Sequence, residues 1–257
     1  MSETTYAPGT PCWVDLSSPD LPATIRFYEG LFGWTSETAS EEQYGGYTTF
    51  SKDGKAVAAA SPLQGDGQPP AWTTYFATDN IEGSVKLIQD AGGAVLVEPM
   101  DVAPHGRMAI FADPAGAVFA LWQANEMKGA QLTNEPGSLT WNELLTRDID
   151  GAKAFYQAVF HFAPDTQQYG PGEYTMFNLD GKGVAGAMAM GPEFPSEVPP
   201  HWKIYFAVDD CDAAVAKATE LGGQVDSPPM DTPAGRMASL RDPHGAAFAV
   251  IKTQPME

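Results

Sequence analysis

Apolar and polar positions alternate along this chain in short runs, interrupted four times by a helical spacing. Cys12-Trp13-Val14-Asp15-Leu16 alternates as a strand. Ser17 to Asp20 then punctuates the chain, with Asp20 placed to cap a helix and Pro22 suited to its first turn. Leu21, Ile25, Tyr28 and Leu31 recur at helical spacing and Gly33 closes the run. Strands follow at Thr35 to Thr38, Tyr44 to Lys52 and Lys55 to Ser61, the last two joined by Asp53-Gly54, a hairpin signal. The order is β-α-β-β-β. After the Pro/Gly-rich stretch Pro62 to Pro70 it begins again. A strand over Ala71 to Thr78 leads to a helix from Asp79-Asn80 through Val85 and Ile88, closed by Gly92-Gly93. Strands at Ala94 to Glu98, Arg107 to Ala112 and Ala117 to Gln123 complete it, with Asp113-Pro114-Ala115-Gly116 as the final turn.

The remainder repeats this plan. Pro70-Ala71-Trp72-Thr73-Thr74-Tyr75-Phe76-Ala77-Thr78-Asp79 returns 130 residues later as Pro200-His201-Trp202-Lys203-Ile204-Tyr205-Phe206-Ala207-Val208-Asp209. Trp141 answers Trp13 and Phe155-Tyr156 answers Phe27-Tyr28 at an offset of 128. Asp242-Pro243-His244-Gly245 answers the Asp113 turn at 129. Repetition at half the chain length marks a tandem duplication. The predicted architecture is α+β: four βαβββ modules in two pairs, with domains over 1–128 and 129–257 and Asn125 to Gly137 as the natural linker.

Composition narrows the functional classes. A net charge of −19, from 14 basic and 33 acidic residues, argues against nucleic acid and anionic membrane surfaces as partners. No apolar run approaches the roughly 20 residues of a membrane span. The start, Met1 to Tyr6, has neither the basic nor the apolar segment of a signal peptide, so a cytoplasmic protein is expected. Cys12 and Cys211 occupy non-equivalent positions and are expected to be buried small hydrophobes rather than a disulfide.

The residues Phe27, Tyr28, Leu31, Phe32 and Gly33, with Phe155, Tyr156 and Phe160, and the turns Asp113, Pro114, Gly116 and Asp242, Pro243, Gly245, carry a resemblance. They resemble the vicinal oxygen chelate superfamily of glyoxalases, bleomycin-resistance proteins and extradiol dioxygenases, and within it two-domain actinobacterial glyoxalase-like proteins. The resemblance implies that each module pair curls one mixed sheet into a cup with helices outside. It also implies, for catalytic members, a divalent metal held in the cup by His, Glu or Gln.

At the positions matching those ligands stand Trp13 and Trp141, Thr73 and Lys203, Ala120 and Ala249. An indole nitrogen is a donor only and cannot ligate a metal. The histidines, His105, His161, His201 and His244, form no HxH or HxxxH pair. The expectation is therefore a protein with no metal and no cofactor, whose cups carry side chains suited to a small molecule. The inward faces would present Trp13, Asp15, Tyr47, Thr73, Tyr75, Met108 and Trp122 in one half. In the other they would present Trp141, Glu143, Tyr174, His201, Lys203, Tyr205 and Met237. Aromatic rings in this number favour a flat aromatic ligand, antibiotic- or polyketide-like, bound for sequestration or within a biosynthetic pathway. The alternative is a glyoxalase-, dioxygenase- or hydroxylase-type enzyme, metal-free with Glu143 and Lys203 as an acid/base pair or with a metal at a non-standard place. Arg107 and Arg236 could anchor an anionic ligand, though bridging to surface carboxylates is the commoner use of such residues. A duplicated chain is expected as a pseudo-twofold monomer or a homodimer.

Overall fold

The computed structural model describes residues 5–40, 44–65, 67–169, 172–192 and 194–254. The first half runs β1 (Pro11–Ser18), α1 (Leu21–Phe32), β2 (Thr35–Thr38), β3 (Thr48–Lys52) and β4 (Lys55–Pro62). It continues with β5 (Ala71–Ala77), α2 (Ile81–Asp90), β6 (Ala94–Val102), β7 (Gly106–Ala112) and β8 (Val118–Ala124). The second half gives β9 (Leu139–Thr146), α3 (Ile149–Phe160), β10 (Ala163–Tyr169), β11 (Gly172–Leu179) and β12 (Lys182–Ala189). It closes with β13 (His201–Ala207), α4 (Cys211–Glu220), β14 (Gln224–Thr232), β15 (Gly235–Arg241) and β16 (Ala247–Thr253). These are the four βαβββ modules, and they form two mixed sheets of eight strands. The sheet orders are β2-β3-β4-β1-β5-β8-β7-β6 and, strand for strand, β10-β11-β12-β9-β13-β16-β15-β14.

Local chemistry explains the element ends. Asp20, Asn80, Asp148 and Asp210 cap the helices through side-chain oxygens that accept from the backbone N–H three residues on. Gly33 closes α1 in the left-handed region at φ 67°, and His161 does the same for α3 at φ 59° without glycine's freedom. The β3–β4 hairpin turns at Asp53 (φ 50°) and Gly54 (φ 75°), and β11–β12 turns at Asp180 (φ 51°) and Gly181 (φ 76°), the two-residue geometry that suits twisted strands.

Two boundaries differ from the sequence reading by four residues. The strand expected from Tyr44 begins at Thr48, because Gly45 and Gly46 take φ of 59° and 77° and cannot extend it. The strand expected to end at Glu98 runs to Val102. Its register with β7 shifts twice, between Val95 and Val97 and between Val97 and Met100, so bulges break the alternation that would have revealed it.

The chain forms two compact units. One gathers Val14–Thr73, Ala130–Thr140 and the chain from Ile204 onward, so its core joins the first module to the fourth. Val14, Phe27, Tyr28, Phe32, Trp34, Phe50 and Trp72 pack there with Ile204, Phe206, Phe248 and Val250. The other gathers the chain up to Trp13 with Thr74–Gly129 and Trp141–Lys203, joining the second module to the third. Its core packs Phe76, Phe111 and Phe119 with Leu144, Phe155, Tyr156, Phe160, Phe162, Phe177 and Trp202. Of the segment expected as the natural linker, residues 130–137 are tied down within the first of these units. Gln131 N–H donates to the Ala56 carbonyl, Gly137 N–H donates to the carbonyl of Ala207 at the end of β13, and the Gly137 carbonyl accepts from Trp34 Nε1 at 2.7 Å.

Candidate functional site

Strand alternation sorts side chains into those that enter the cores and those on the opposite faces. Val14 and Leu16 enter the core from β1, which places Trp13 and Asp15 opposite. The same reasoning sets Thr73 and Tyr75 opposite Trp72 and Phe76, and Met108 and Trp122 opposite Ala109 and Leu121. It sets Trp141 and Glu143 opposite Leu144, Tyr174 opposite Phe177's face, and His201, Lys203 and Tyr205 opposite Trp202, Ile204 and Phe206. Met237 stands opposite Ala238.

The most developed of these faces lies on β9, β11 and β12, within the unit that joins the second and third modules. Trp141 Nε1 donates to Tyr174 Oη at 2.7 Å. Both rings are half-buried. Between their strands, β12 offers Gly183 and Gly186. A Cβ on Gly186 would stand 1.8 Å from Tyr174 Oη, and one on Gly183 would stand 2.7 Å from Met176 Sδ and 3.6 Å from Trp141 Cη2. The phenol therefore lies low across the strand in space that a side chain would fill. Glu143 is directly in register with Gly186 and 6% exposed. Lys203 is half-buried on β13, the strand beside β9, on the same face. His201 Nδ1 lies 2.9 Å from the Pro199 carbonyl, at the mouth of β13.

In the first module the tyrosine in the matching place is Tyr47. Tyr47 precedes β3 and its Oη donates to Asp15 Oδ2 at 3.3 Å, with Asp15 8% exposed. In the second module Trp122 Nε1 donates to the Met127 carbonyl at 2.8 Å, and its ring lies over Gly106, where a Cβ would meet Cζ2 at 2.6 Å. It helps wall a cavity of about 280 Å³ with Tyr6, Asp79 and Lys128. Met108 pairs across with Trp122, Tyr75 lies in register with Ala120, Tyr205 with Ala249 and Met237 with Ile251.

Sequence reading missed a pair of buried networks. In one core Trp202 Nε1 donates to Tyr156 Oη at 2.9 Å, and Tyr156 Oη donates to Asp113 Oδ2 at 3.1 Å. In the other Trp72 Nε1 donates to Tyr28 Oη at 3.0 Å, and Tyr28 Oη donates to Asp242 Oδ2 at 3.4 Å. The second oxygens of both aspartates accept backbone N–H groups of their own turns, from Ala115 and Ala117 and from His244 and Ala246. Burial pushes both carboxyls above the usual range against the pull of these backbone donors, and burial with the adjacent aspartate pushes both phenols well up. A recurring Asp in one turn and a recurring Tyr on a buried helix face were the available signals, since a buried phenol requires a partner. Their pairing across modules carried no local trace.

Both halves also match a single family model, that of the glyoxalase/bleomycin resistance protein/dioxygenase superfamily, over residues 12–121 and 138–250. The chain belongs to this superfamily. The anthracycline biosynthesis proteins DauV of Streptomyces sp. (strain C5) and DnrV of Streptomyces peucetius are 47% and 48% identical to it, each over 97% of this chain and 95% of its own length. The crystal structure of 2,2',3-trihydroxybiphenyl 1,2-dioxygenase from Sphingomonas wittichii shares the fold. Its TM-score is 0.67 at 14% identity, over 96% of this chain and 91% of that one.

Superfamily membership raises the question of a divalent metal, and the donor set here does not fit one. Trp13, Trp141, Thr73, Lys203 and the buried Ala120 and Ala249, the positions that the resemblance matches to ligands, bring no His, Cys or carboxylate. Among the described residues no group of three or more His, Cys, Asp and Glu side chains is placed to hold an ion. Other candidates have structural partners. Arg107 bridges Glu82 and Asp101, and Arg236 bridges Asp212 and Asp231, so both tie helices to strand edges. Cys12 and Cys211 are buried free thiols, with Cys211 pushed up to about 11 by burial and the acidic residues around it. No helix among the described residues is long and apolar enough to cross a membrane.

Proposed function

We propose that the protein binds a hydrophobic, aromatic small molecule, antibiotic- or polyketide-like, without using a metal, for sequestration or within a biosynthetic pathway. The observation that carries this reading is the hydrogen-bonded Trp141–Tyr174 pair laid over the glycines of β12. Two half-buried rings held in one orientation favour stacking on a flat ligand, worth about 0.5–1.5 kcal/mol per aromatic pair beyond area burial. The kinship with two proteins of anthracycline biosynthesis supports the same chemical class, since anthracyclines are planar fused-ring polyketides. His201 and Lys203, on the same face and within the same unit, would complete recognition. A thermal-shift screen with aromatic polyketides tests the reading: stabilisation rising with ligand concentration is the expected result, and no shift with any of them would reject it.

A second reading has its own support. Glu143 is buried and Lys203 stands on the neighbouring strand on the same face. That placement suits an acid/base pair acting on the bound molecule. Turnover that survives both Glu143→Gln and Lys203→Met would remove it.

A further inference from the structure

Where β5 and β8 end lies the cavity of about 280 Å³, and every residue of its wall belongs to one unit. Tyr6 and Trp122 bring rings to it, Thr78 and Gln123 neutral polar groups, and Asp79 and Lys128 opposite charges. Its wall is held in place from behind. Trp122 Nε1 donates to the Met127 carbonyl at 2.8 Å, and the N–H groups of Asn125 and Met127 both donate to the His105 carbonyl. Gly129, at φ 123°, then brings the chain close against Tyr6. A Cβ there would stand 2.5 Å from the Cys12 carbonyl oxygen and 2.8 Å from Tyr6 Cε2, so the close approach of this segment to the Tyr6 ring depends on glycine. The second half repeats the backbone frame without this wall. Gly9 N–H donates to Ala77 and Thr78 N–H to Trp122 in the first half, as Gly137 does to Ala207 and Val208 to Ile251 in the second. In that register Asn134 stands for Tyr6 and Ile251 for Trp122, so the frame itself does not require the two rings.

We propose that this cavity is a second binding site, for a zwitterionic amino acid with an aromatic or bulky apolar side chain. The two charges carry the argument. Among the described residues Asp79 and Lys128 make no salt bridge, and Lys128 Nζ donates to the uncharged Asn125 carbonyl. A molecule with an ammonium and a carboxylate on one carbon answers both charges at once, while its side group lies against Trp122 and Tyr6. A purely anionic ligand sets like charge against Asp79, and a purely cationic one does the same at Lys128. Volume sets the size. About 280 Å³ falls just short of the range for drug-sized ligands and suits a single ring rather than a fused-ring polyketide. The site shares no residue with the Trp141–Tyr174 pair, so it stands whatever that pair binds.

The probes are L-phenylalanine, 3-phenylpropionate and 2-phenylethylamine, which keep one ring and differ in charge. Each is titrated into the full chain while the Trp122 indole N–H resonance is followed, assigned by its loss in Trp122→Phe. The expected result is a saturable shift with L-phenylalanine. Each single-charge probe should bind about threefold to fivefold more weakly, the worth of one partly screened ion pair. Lys128→Met should weaken L-phenylalanine and 3-phenylpropionate by a similar factor and spare 2-phenylethylamine. Asp79→Asn should weaken L-phenylalanine and 2-phenylethylamine and spare 3-phenylpropionate. Asp79 is exposed and Lys128 half-buried, so both variants should fold, and their opposite selectivity separates a lost contact from a general loss of structure. No saturable shift with L-phenylalanine would overturn the inference. So would 3-phenylpropionate or 2-phenylethylamine binding as tightly as L-phenylalanine, or affinities that neither substitution changes.

Discussion

The two compact units keep the same interior and differ on their opposite faces. Trp72 and Tyr28 meet edge to face at 5.3 Å and 86°, and Trp202 and Tyr156 at 5.3 Å and 84°. Each tyrosine then reaches an aspartate from the turn of another module, Asp242 in one unit and Asp113 in the other. The faces away from these cores are kept only in part: Trp13 matches Trp141 and Tyr75 matches Tyr205, but Asp15 stands for Glu143, Ala59 for Gly186, Thr73 for Lys203 and Ala71 for His201. The difference teaches where each copy was free to change. A core network must be complete in both units, because a buried donor or acceptor left alone costs more than the bond contributes. A face turned away from the core carries no such requirement, so its residues can differ between the copies.

The largest effect is expected where the networks are cut. Tyr156→Phe strands Trp202 Nε1 and one Asp113 oxygen together, and should destabilise the protein by about 2–3 kcal/mol in urea unfolding. Tyr28→Phe should cost less, because its bond to Asp242 is 3.4 Å rather than 3.1 Å. Equal losses would mean that the two cores are equivalent in energy as well as in pattern.

A helix end gives a sharper, intermediate contrast. His161 holds a left-handed conformation that Gly33 adopts freely in the matching place, so His161→Gly should raise stability by up to about 1 kcal/mol. A loss of stability would show that the imidazole makes up for the backbone cost.

Smaller still is the pH dependence of the aspartates. Burial raises the Asp113 carboxyl above its unfolded value, so the folded state holds its proton more tightly than the unfolded chain does. The stability it adds is full below the unfolded pKa and is lost as pH rises through the folded one. Urea midpoints of wild type and Asp113→Asn between pH 4 and neutrality should therefore converge or cross as pH rises, with wild type favoured at the acid end; midpoints that diverge in the other direction would contradict this. Least of all should come from Arg236→Ala. Its guanidinium bonds Asp212 and Asp231 at the surface, where ion pairs are screened, and neither the urea midpoint nor polyketide binding should change measurably.

Much of this molecule could be read from residue order. The four modules, their caps at Asp20 and Asn80, the Asp53-Gly54 hairpin and the turns at Asp113 and Asp242 all rest on chemistry within a few residues, and the structure has them in place. The surface role of Arg107 and Arg236 followed from the excess of carboxylates. Alternation also separated the side chains of the opposite faces from those of the cores, because period two is a local property of any strand. Where alternation was broken, by Gly45 and Gly46 before β3 and by the bulges of β6, the reading failed by four residues.

What sequence could not decide is which modules share a core and which atom each polar group meets. The first module packs with the fourth and the second with the third, through contacts such as Phe32 with Phe206 and Phe119 with Tyr156 that are separated by long stretches of chain. Local preference is blind to such contacts. Likewise Gly186 read as one small residue among several in a strand. Only the folded register shows Glu143 opposite it and Tyr174 lying where its Cβ would be.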